Sequence, residues 1–210
     1  MGKVLVLSPH PDDDVIGCGG TIRQHIVLGD TVEVIYLTSG EAGGHGTDQE
    51  ETIRIREKEA VLAAEILQIS RVDFWHEPDG KLKASKKNIQ RLHQKITSFE
   101  PDIIYVTHDR EDHQDHRAAA LLVSKTLRLP ATAVKPTVWM YEVWTPIQKI
   151  KHIVDITPYI ELKLQAIRAH QSQCKVLRFD DAISGLNRYR GEMHSWPGGP
   201  FAEIFTTFRI

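Results

Sequence analysis

Cysteine is scarce in this sequence, since only Cys18 and Cys174 occur among its 210 residues. The two form no CxxC pair and are too few for a disulfide framework, so the chain is not one of the small domains that disulfides hold together. A single bridge between them stays open. Reduced thiols, as in a cytosolic protein, are the interpretation that we favour.

An excess of charge of one sign is also missing. The 26 Lys and Arg residues nearly balance the 28 Asp and Glu residues, which leaves a formal net charge of -2. No run rich in Lys or Arg occurs either. Proteins that bind nucleic acid carry basic patches or stripes. We therefore expect no nucleic-acid partner.

Long apolar runs are absent as well. The N-terminal run Val4–Leu7 turns polar at Ser8, which makes it too short for a signal-peptide core or a membrane span. No longer run follows it. We therefore expect no stable membrane insertion and a soluble protein in the cytoplasm, either as a monomer or as a homo-oligomer.

What is present is the composition of an ordinary globular domain. Hydrophobic residues make up 41% of the chain and charged residues 26%, which is enough apolar material for a core. The length fits one domain, and no repeat, low-complexity tract or long linker marks a second one. The sequence predicts a single domain over 1–210, with a core over 1–173 and a less regular part over 174–210.

Apolar runs and amphipathic stretches alternate along the chain. Strands are predicted over 3–8, 31–38, 72–76, 101–107, 137–143 and 152–156, and helices over 20–28, 51–67, 85–99, 117–127 and 158–170. Strands separated by helices imply βαβ units and a parallel sheet. With right-handed crossovers, the predicted fold is α/β, a Rossmann-like open, mainly parallel sheet with helices on both faces.

Two polar segments each follow a predicted strand. The first is Pro9–Asp14, with the sequence PHPDDD, and the second is His108–His116, with the sequence HDREDHQDH. In an open α/β sheet, ligands bind beyond the carboxyl ends of the strands, so both segments project toward one edge of the sheet. Taken alone, the Asp run could merely cap a helix, and the His-rich segment could be a solvated turn.

Together the two segments contain the residue types of a catalytic zinc site, which has two histidines, one carboxylate and an open position. Carboxylates alone suit magnesium or calcium, whereas imidazole plus carboxylate suits zinc or ferrous iron. The Asp run also leaves one carboxylate free for proton transfer. A Lewis acid, a water, a general base and a general acid are the components of metal-assisted hydrolysis.

A dinucleotide site is the competing interpretation, because Gly17, Gly19 and Gly20 follow the first strand. The pattern fits GxG but not GxGxxG, since position 22 is Ile22. The acidic segment before the glycines would also repel a pyrophosphate. We expect these glycines to let the start of the helix pack closely on the sheet.

These motifs resemble those of the LmbE-like, or PIG-L, N-acetylglucosaminyl deacetylases. The similarity covers HPDDD at 10–14, IGCGGTI at 16–22, REKEA at 56–60, HQDHRA at 113–118, and the late helix with Lys163, residues 166–167 and HQSQ at 170–173. The motifs occur in the family's order. This chain has Asp14 where the family often has Glu, and Gln114 where it usually has Pro, which bears on loop or substrate shape rather than on the reaction.

The resemblance implies a metal site and a base. His10, Asp13 and His116 would be the metal ligands, with zinc as the cation and ferrous iron as the alternative. Asp12 would be the general base that deprotonates the attacking water. Different roles for adjacent carboxylates are physically reasonable, because Asp12 cannot point at the cation together with Asp13 without crowding.

The resemblance also implies an acid and a substrate contact. His113 would be the general acid and oxyanion partner, oriented by Asp115. Arg56 would reach a polar group of the substrate. The alternative for Arg56 is a surface arginine paired with Glu51 or Glu59.

The expected function is metal-dependent removal of the N-acetyl group from an N-acetylglucosamine-type sugar or sugar conjugate, with release of acetate. A metal-dependent amidase acting on another small N-acyl substrate is the alternative among enzymes, and a non-catalytic Rossmann-like binding module is the alternative outside them. Sugar–malate and sugar–inositol conjugates, lipid-linked sugars and disaccharides all stay open as substrates. The Gly-rich segment 39–48 would be a substrate-facing lid or an ordinary surface loop.

Overall fold

A computed structural model of the protein describes residues 1–129, 135–195 and 197–208. Within these ranges the strands are β1 (Lys3–Ser8), β2 (Thr31–Tyr36), β3 (Arg71–Phe74), β4 (Ile103–Thr107), β5 (Thr137–Tyr141), β6 (His152–Asp155) and β7 (Ala202–Thr206). The helices are α1 (Asp13–Val27), α2 (Gln49–Leu67), α3 (Lys86–Phe99), α4 (Gln114–Thr126), α5 (Ile160–Ala169), α6 (Gln171–Cys174) and α7 (Phe179–His194). Short 3-10 turns cover Glu41–Gly43 and Thr157–Tyr159.

The strands form one sheet in the order β3-β2-β1-β4-β5-β7-β6. Strands β3, β2, β1, β4 and β5 pair in parallel, whereas β7 runs antiparallel to both β5 and β6. The first strand of the chain therefore lies in the middle of the parallel part. This confirms the predicted α/β class with an open, mainly parallel sheet.

The sheet separates two apolar cores, because successive side chains of a strand point to opposite faces. On β1, Val4 and Val6 belong to one core, and Leu5 and Leu7 belong to the other. Helices α1, α2, α5 and α7 contribute to the first core, and α3 and α4 to the second. Helices therefore cover both faces of the sheet, as predicted.

The C-terminal part is more regular than the sequence predicts. Residues 174–210 contain α7 and β7, and β7 lies inside the sheet between β5 and β6, so this part belongs to the single domain. Two features conceal these elements in the sequence. Strand β7 carries a charged residue, Glu203, near its centre, and α7 contains Gly185 and Gly191, which weaken a helix prediction.

Two helices begin earlier than predicted. Helix α1 begins at Asp13 rather than at Gly20, and α4 begins at Gln114 rather than at Arg117. Both first turns carry acidic residues, which the positive end of a helix dipole stabilises. Polar residues that suggested loops are therefore helix N-termini, and this places Asp13 and His116 on rigid elements.

Helix α1 is broken at Cys18, whose dihedral angles are non-helical (φ -144°, ψ 21°). Beyond the break, the backbone amides of Gly20 and Thr21 donate to the carboxylate of Glu203 at 2.9 and 2.7 Å. Lys163 on α5 donates to the same carboxylate at 2.6 Å, and both side chains are buried. Glu203 therefore caps the second half of α1 and ties β7 to α5.

Gly17 allows α1 to approach the sheet closely. A β-carbon at this position would overlap the ring of Tyr141 on β5. The tyrosine hydroxyl donates to the carbonyl of Leu7 on β1 at 2.9 Å, so the ring cannot move away without losing a buried hydrogen bond. This contact supports the packing role expected for the glycines over a dinucleotide site.

Two further expectations concern the cysteines and the membrane. Cys18 and Cys174 are both free thiols, in agreement with the favoured interpretation. Among the helices of the described ranges, none combines the length and the apolarity that crossing a membrane requires.

The substitution Lys163→Met tests the buried ion pair, because it leaves the Glu203 carboxylate buried without its counter-charge. Removing one partner of a buried ion pair destabilises a protein by about 3–5 kcal/mol, and we expect the free energy of unfolding to fall by this amount. Urea unfolding followed by circular dichroism measures it. The control is Arg168→Met on the same helix, where Arg168 pairs with Asp180 at the surface and the loss should stay below about 1 kcal/mol. Equal losses in the two variants would contradict the assignment.

Candidate active site

The two polar segments meet at the carboxyl ends of neighbouring strands. Strands β1 and β4 pair in parallel, and the chain passes from β1 through residues 9–12 into α1, and from β4 through residues 108–113 into α4. The N-termini of both helices therefore lie beside the edge of the sheet where α/β folds bind ligands. This is the location that the sequence predicts for the site.

His10, Asp13 and His116 converge at this edge. Asp13 Oδ2 lies 3.0 Å from His10 Nδ1 and 3.1 Å from His116 Nε2. The two imidazole nitrogens lie 3.3 Å apart, and all three side chains are buried. The structure thus brings together the three residues that the resemblance implies as metal ligands.

The spacing of these atoms fits a small divalent cation. Ligand atoms about 2.0–2.1 Å from a tetrahedral zinc ion are separated from one another by roughly 3.3 Å, and two imidazoles with one carboxylate leave a fourth position open. The observed separations are 3.0, 3.1 and 3.3 Å. A ring nitrogen of His113 also lies within 4.8 Å of ring nitrogens of His10 and His116, so His113 is the alternative third ligand.

Carboxylates lie behind both imidazoles. His10 Nε2, on the far side of its ring, is 3.0 Å from Asp79 Oδ1 and 3.4 Å from Asp115 Oδ2. His116 Nδ1 faces Glu111 at 3.8 Å. Histidines that bind a metal commonly direct their second nitrogen at a carboxylate, which fixes the ring and raises its basicity. The surroundings of the cluster therefore also fit a metal centre.

The charges in this cluster hold one another ionised. Burial alone would raise the pKa of Asp13, but contact with His116 and His10 holds that pKa well below its usual range. Burial alone would lower the pKa of His116, but the Asp13 carboxylate raises it to about 9. A cation has to displace the imidazole protons, so we expect its affinity to decrease as the pH falls.

Asp12 forms its ion pair with Arg56. Its backbone has a φ of 130°, a strained conformation for a residue with a side chain, and Asp12 Oδ2 accepts from Arg56 Nη2 at 3.0 Å. Burial raises the pKa of Asp12 to about 7, against the lowering effect of Arg56 and with a further rise from Asp13. A carboxyl that titrates near neutral pH suits a general base.

Arg56 on α2 is buried rather than exposed at the surface. Besides Asp12, its guanidinium donates to the carbonyl of Gly40 at 2.9 Å and to the carbonyl of Pro11 at 2.8 Å. The arginine therefore joins the Gly-rich segment to the loop after β1. Its side chain also lines the pocket described below, so its contact with a substrate stays a prediction.

His113 is the N-cap of α4. Its Nδ1 accepts the backbone amide of Asp115 at 3.3 Å, so the neutral ring carries its proton on Nε2. The ring packs edge-on against that of His10, with centroids 4.7 Å apart. Burial and the neighbouring His10 and His116 lower the pKa of His113. At neutral pH the side chain is therefore an N–H donor.

The Asp115 side chain differs from the expectation that it orients His113. Its carboxylate accepts the backbone amides of Gly80 at 2.7 Å and Leu82 at 3.1 Å, and it approaches His10. Asp115 is the second residue of α4, and its side chain contacts the segment that follows β3. His113 therefore accepts a hydrogen bond from the backbone amide of Asp115 and not from its side chain. Asp115 thus fixes the turn at Gly80 and supports His10.

The cluster opens into a pocket of about 320 Å³. It is lined by the polar cluster, by residues 42, 43 and 45 of the Gly-rich segment, and by the apolar side chains of Trp144, Val176, Leu177 and Phe179. Part of the 39–48 segment therefore faces the pocket. The combination of a polar cluster and apolar walls is typical of pockets for small ligands.

Asp79 and Trp144 are pocket residues without a role in the sequence-based prediction. Asp79 stands before Gly80, a pair that is typical of a turn, and this conceals its contact with His10. Trp144 belongs to a stretch without a recognisable motif. Position is the signal that could have found them, because Asp79 and Trp144 follow the carboxyl ends of β3 and β5.

Glu111 lies outside the lining of the pocket and also has no role in the sequence-based prediction, and it links the cluster to the loop after β5. Its carboxylate accepts the backbone amides of Val143 at 2.7 Å, Trp144 at 3.1 Å and Thr145 at 3.1 Å. Burial alone would raise the pKa of Glu111, but His116 and the Val143 amide lower it. The ionised carboxylate therefore holds the loop that carries Trp144 in a fixed position.

Comparison with known proteins identifies the family. The sequence profile of the PIG-L family, described as GlcNAc-PI de-N-acetylase, matches residues 5–127, which is more than half of the chain. The chain belongs to the PIG-L family. This confirms the resemblance to the LmbE-like deacetylases, and the matched range includes His10, Asp13 and His116.

Relatives and solved structures agree with this assignment. The diacetylchitobiose deacetylase of Thermococcus kodakarensis is 29% identical over 192 residues, covering 81% of this chain and 70% of that protein. The N,N'-diacetylchitobiose deacetylase from Pyrococcus horikoshii superposes with a TM-score of 0.85 and 27% identity, covering 98% of this chain and 83% of that one. These relatives are deacetylases of substrates derived from N-acetylglucosamine.

A second similar structure belongs to a protein with a different activity. GalB, the 4-carboxy-2-hydroxymuconate hydratase from Pseudomonas putida KT2440, superposes with a TM-score of 0.86, covering 100% of this chain and 98% of that one. Its sequence is only 22% identical, so the likeness shows the fold alone. The reaction of this chain therefore has to be argued from its site and not from its fold.

We expect the purified protein to hold about one divalent cation per chain, because three buried ligand atoms converge on one point. His10→Ala and His116→Ala should each lose the cation, as measured by elemental analysis after gel filtration. His93→Ala on α3 is the control and should keep it. A wild-type protein that takes up no cation after incubation with zinc, or a His116→Ala variant that keeps its cation, would count against this site.

Proposed function

We propose that the protein is a zinc-dependent hydrolase that removes the N-acetyl group from an N-acetylglucosamine-type sugar or sugar conjugate and releases acetate. The observation that carries the proposal is the convergence of His10, Asp13 and His116 at a pocket that a separate carboxyl, that of Asp12, also lines. Membership of a deacetylase family and the likeness to diacetylchitobiose deacetylases support the same reaction.

Zinc is the proposed cation, with ferrous iron as the alternative. Two imidazoles and one carboxylate suit both ions, whereas magnesium and calcium prefer oxygen ligands. When bound, the cation supplies a Lewis acid that polarises the acetamide carbonyl and lowers the pKa of water. His10, Asp13 and His116 hold it, and the carboxylates behind the two imidazoles keep the rings in place.

Asp12 is the proposed general base. Asp12 lines the pocket beside the ligand cluster, and its carboxyl pairs with Arg56. With a pKa of about 7, the carboxyl is substantially ionised at neutral pH and is basic enough to take a proton from the attacking water. A carboxyl with its ordinary pKa would be a much weaker base.

His113 is the proposed oxyanion partner and general acid. Because Nδ1 accepts a backbone amide, the Nε2–H is available to the carbonyl oxygen as negative charge develops there. That charge raises the proton affinity of the ring, so Nδ1 takes up a proton in place of its hydrogen bond from the Asp115 amide, and the resulting imidazolium gives its Nε2 proton to the leaving amine. The proton that Asp12 takes from the water returns to solvent, which restores both side chains. The products are acetate and a free amino sugar.

Arg56 and Asp115 complete the proposed site. Arg56 contacts a polar group of the substrate through the part of its side chain that lines the pocket, and it also holds Asp12 in place. Asp115 acts as a positioning residue, since its carboxylate supports His10 and the turn at Gly80.

The remaining expectations belong to the same proposal. The substrate is a small sugar or sugar conjugate, no nucleic acid takes part, and the state of assembly is either a monomer or a homo-oligomer. The free thiols of Cys18 and Cys174 support a location in the cytoplasm. A metal-dependent amidase acting on another small N-acyl compound is the second candidate, because the cluster determines the reaction rather than the sugar.

Acetate release from a panel of N-acetylglucosamine derivatives by the zinc-loaded protein tests the proposal. Asp12→Ala should lower turnover by about 100-fold or more and keep the cation, because only the base is lost. Asp109→Ala, which removes an exposed carboxylate, is the control and should keep both activity and cation. No acetate from any N-acetylated sugar would refute the reaction, and cation loss in Asp12→Ala but not in Asp13→Ala would reverse their roles.

Arg56→Ala tests the substrate contact. A specific polar contact of an arginine contributes on the order of 1.5–3 kcal/mol, or roughly a 10- to 150-fold effect. We expect it as a raised KM with unchanged cation content, since the contact exists in the ground and transition states alike. Steady-state kinetics on the best substrate of the panel measure it.

The pH profile of the same variant gives a second readout. Arg56 lowers the pKa of Asp12, so its removal should move the acidic limb of the kcat profile to higher pH. Arg56→Lys retains the positive charge and should leave that limb near its wild-type position. A wild-type KM together with an unshifted acidic limb in Arg56→Ala would remove Arg56 from the site.

A further inference from the structure

We propose that the substrate carries an apolar group beside its N-acetyl sugar, and that this group binds in a second cavity next to the catalytic pocket. This inference rests on the proposed deacetylase function. The second cavity has a volume of about 520 Å³, and Trp144, Leu177 and Phe179 border both cavities. A ligand in the catalytic pocket therefore reaches the second cavity by extending past these three side chains.

The second cavity offers few hydrogen-bonding groups. Its other lining residues are Ile16, Val143, Ala182 and Ile183, with Arg178 and Asp181 as the charged members. Arg178 and Asp181 are exposed and form an ion pair with each other, so their charges are already compensated at the surface. The walls that remain are almost entirely aliphatic and aromatic.

The lining of the second cavity determines which kind of chemical group binds there favourably. An apolar group gains free energy when it leaves water for such a cavity. An anionic group or a polyhydroxylated ring would lose its hydration there without finding hydrogen-bond partners. The occupant that fits is therefore an alkyl or aryl group attached to the sugar, rather than a carboxylate-bearing or inositol-type group.

The shared wall is held in place from the catalytic side. The backbone amide of Trp144 donates to Glu111, the carboxylate that faces His116. The Trp144 ring meets the ring of Phe179 at an interplanar angle of 68°, with centroids 5.7 Å apart. The apolar wall thus has a fixed position relative to the ligand cluster, as a subsite for part of the same substrate requires.

The solvent exposure of the apolar side chains on the shared wall also indicates a binding site. Trp144 is 50% exposed and Leu177 47% exposed, although both line a pocket in which Asp12, Asp13 and Arg56 are buried. Contiguous exposed apolar surface of this kind commonly marks a binding site. Its continuity with the catalytic pocket favours the substrate over a second copy of the chain as the group that covers it.

Paired glycosides test the inference. We expect the zinc-loaded protein to deacetylate octyl N-acetylglucosaminide, below its micelle concentration, with a kcat/KM at least about 10-fold above that for the methyl glycoside. Leu177→Asp places a charge on the shared wall and should bring this ratio toward one. Leu62→Asp on α2 is the matched control, because Leu62 is 45% exposed against 47% for Leu177, and it should keep the wild-type ratio.

The outcomes separate the two proposals. Equal kcat/KM values for the two glycosides, or acetate release from neither while other sugars of the panel react, would overturn the apolar subsite and leave the deacetylase function standing. Acetate release from no sugar of the panel would overturn the deacetylase function itself. Light scattering, which measures the oligomeric state, tests whether a second copy of the chain covers the cavity. A wild-type dimer that Leu177→Asp converts to a monomer, with a substrate ratio near one in both proteins, would show that a second copy covers the cavity and that the inference is wrong.

Discussion

The Asp13 carboxylate lies between the imidazoles of His10 and His116, and the rest of the site depends on this contact. Its Oδ2 is 3.0 Å from one ring nitrogen and 3.1 Å from the other. The three groups come from the loop after β1 and from the first turns of α1 and α4. Burying this carboxylate without positive partners would be unfavourable, so the pairing of β1 with β4 is what makes the site stable.

The same contact separates the functions of two adjacent carboxyls. Asp13 faces the imidazoles, which hold its pKa well below the usual range against the effect of burial. Asp12 has a strained backbone and faces Arg56, and burial raises its pKa to about 7. Carboxyls whose environments push their pKa values apart can act as a ligand and as a base within one site. The different partners of the two side chains, more than residue type, therefore underlie the two proposed roles.

Much of the fold is predictable from the sequence because it depends on local patterns, whereas the proposed ligand set follows from the resemblance to a known family. The βαβ alternation predicts the parallel sheet, and the position of His10, Asp13 and His116 after two strands predicts their convergence. The contacts of Asp79 and of the Asp115 carboxylate are not predictable in this way, since they depend on how the chain after β3 packs against α4. Strand β7 is concealed for a similar reason, because its central Glu203 is neutralised by Lys163 from a distant helix.

Anomalous diffraction at the zinc absorption edge, from crystals of the zinc-loaded protein, tests the ligand assignment most directly. The structure predicts one peak per chain at about 2.0–2.2 Å from His10 Nδ1, Asp13 Oδ2 and His116 Nε2, with the Asp12 carboxyl outside the ligand set. A peak that is coordinated by His113 in place of Asp13, or by Asp12, would contradict the division of roles on which the proposed chemistry rests.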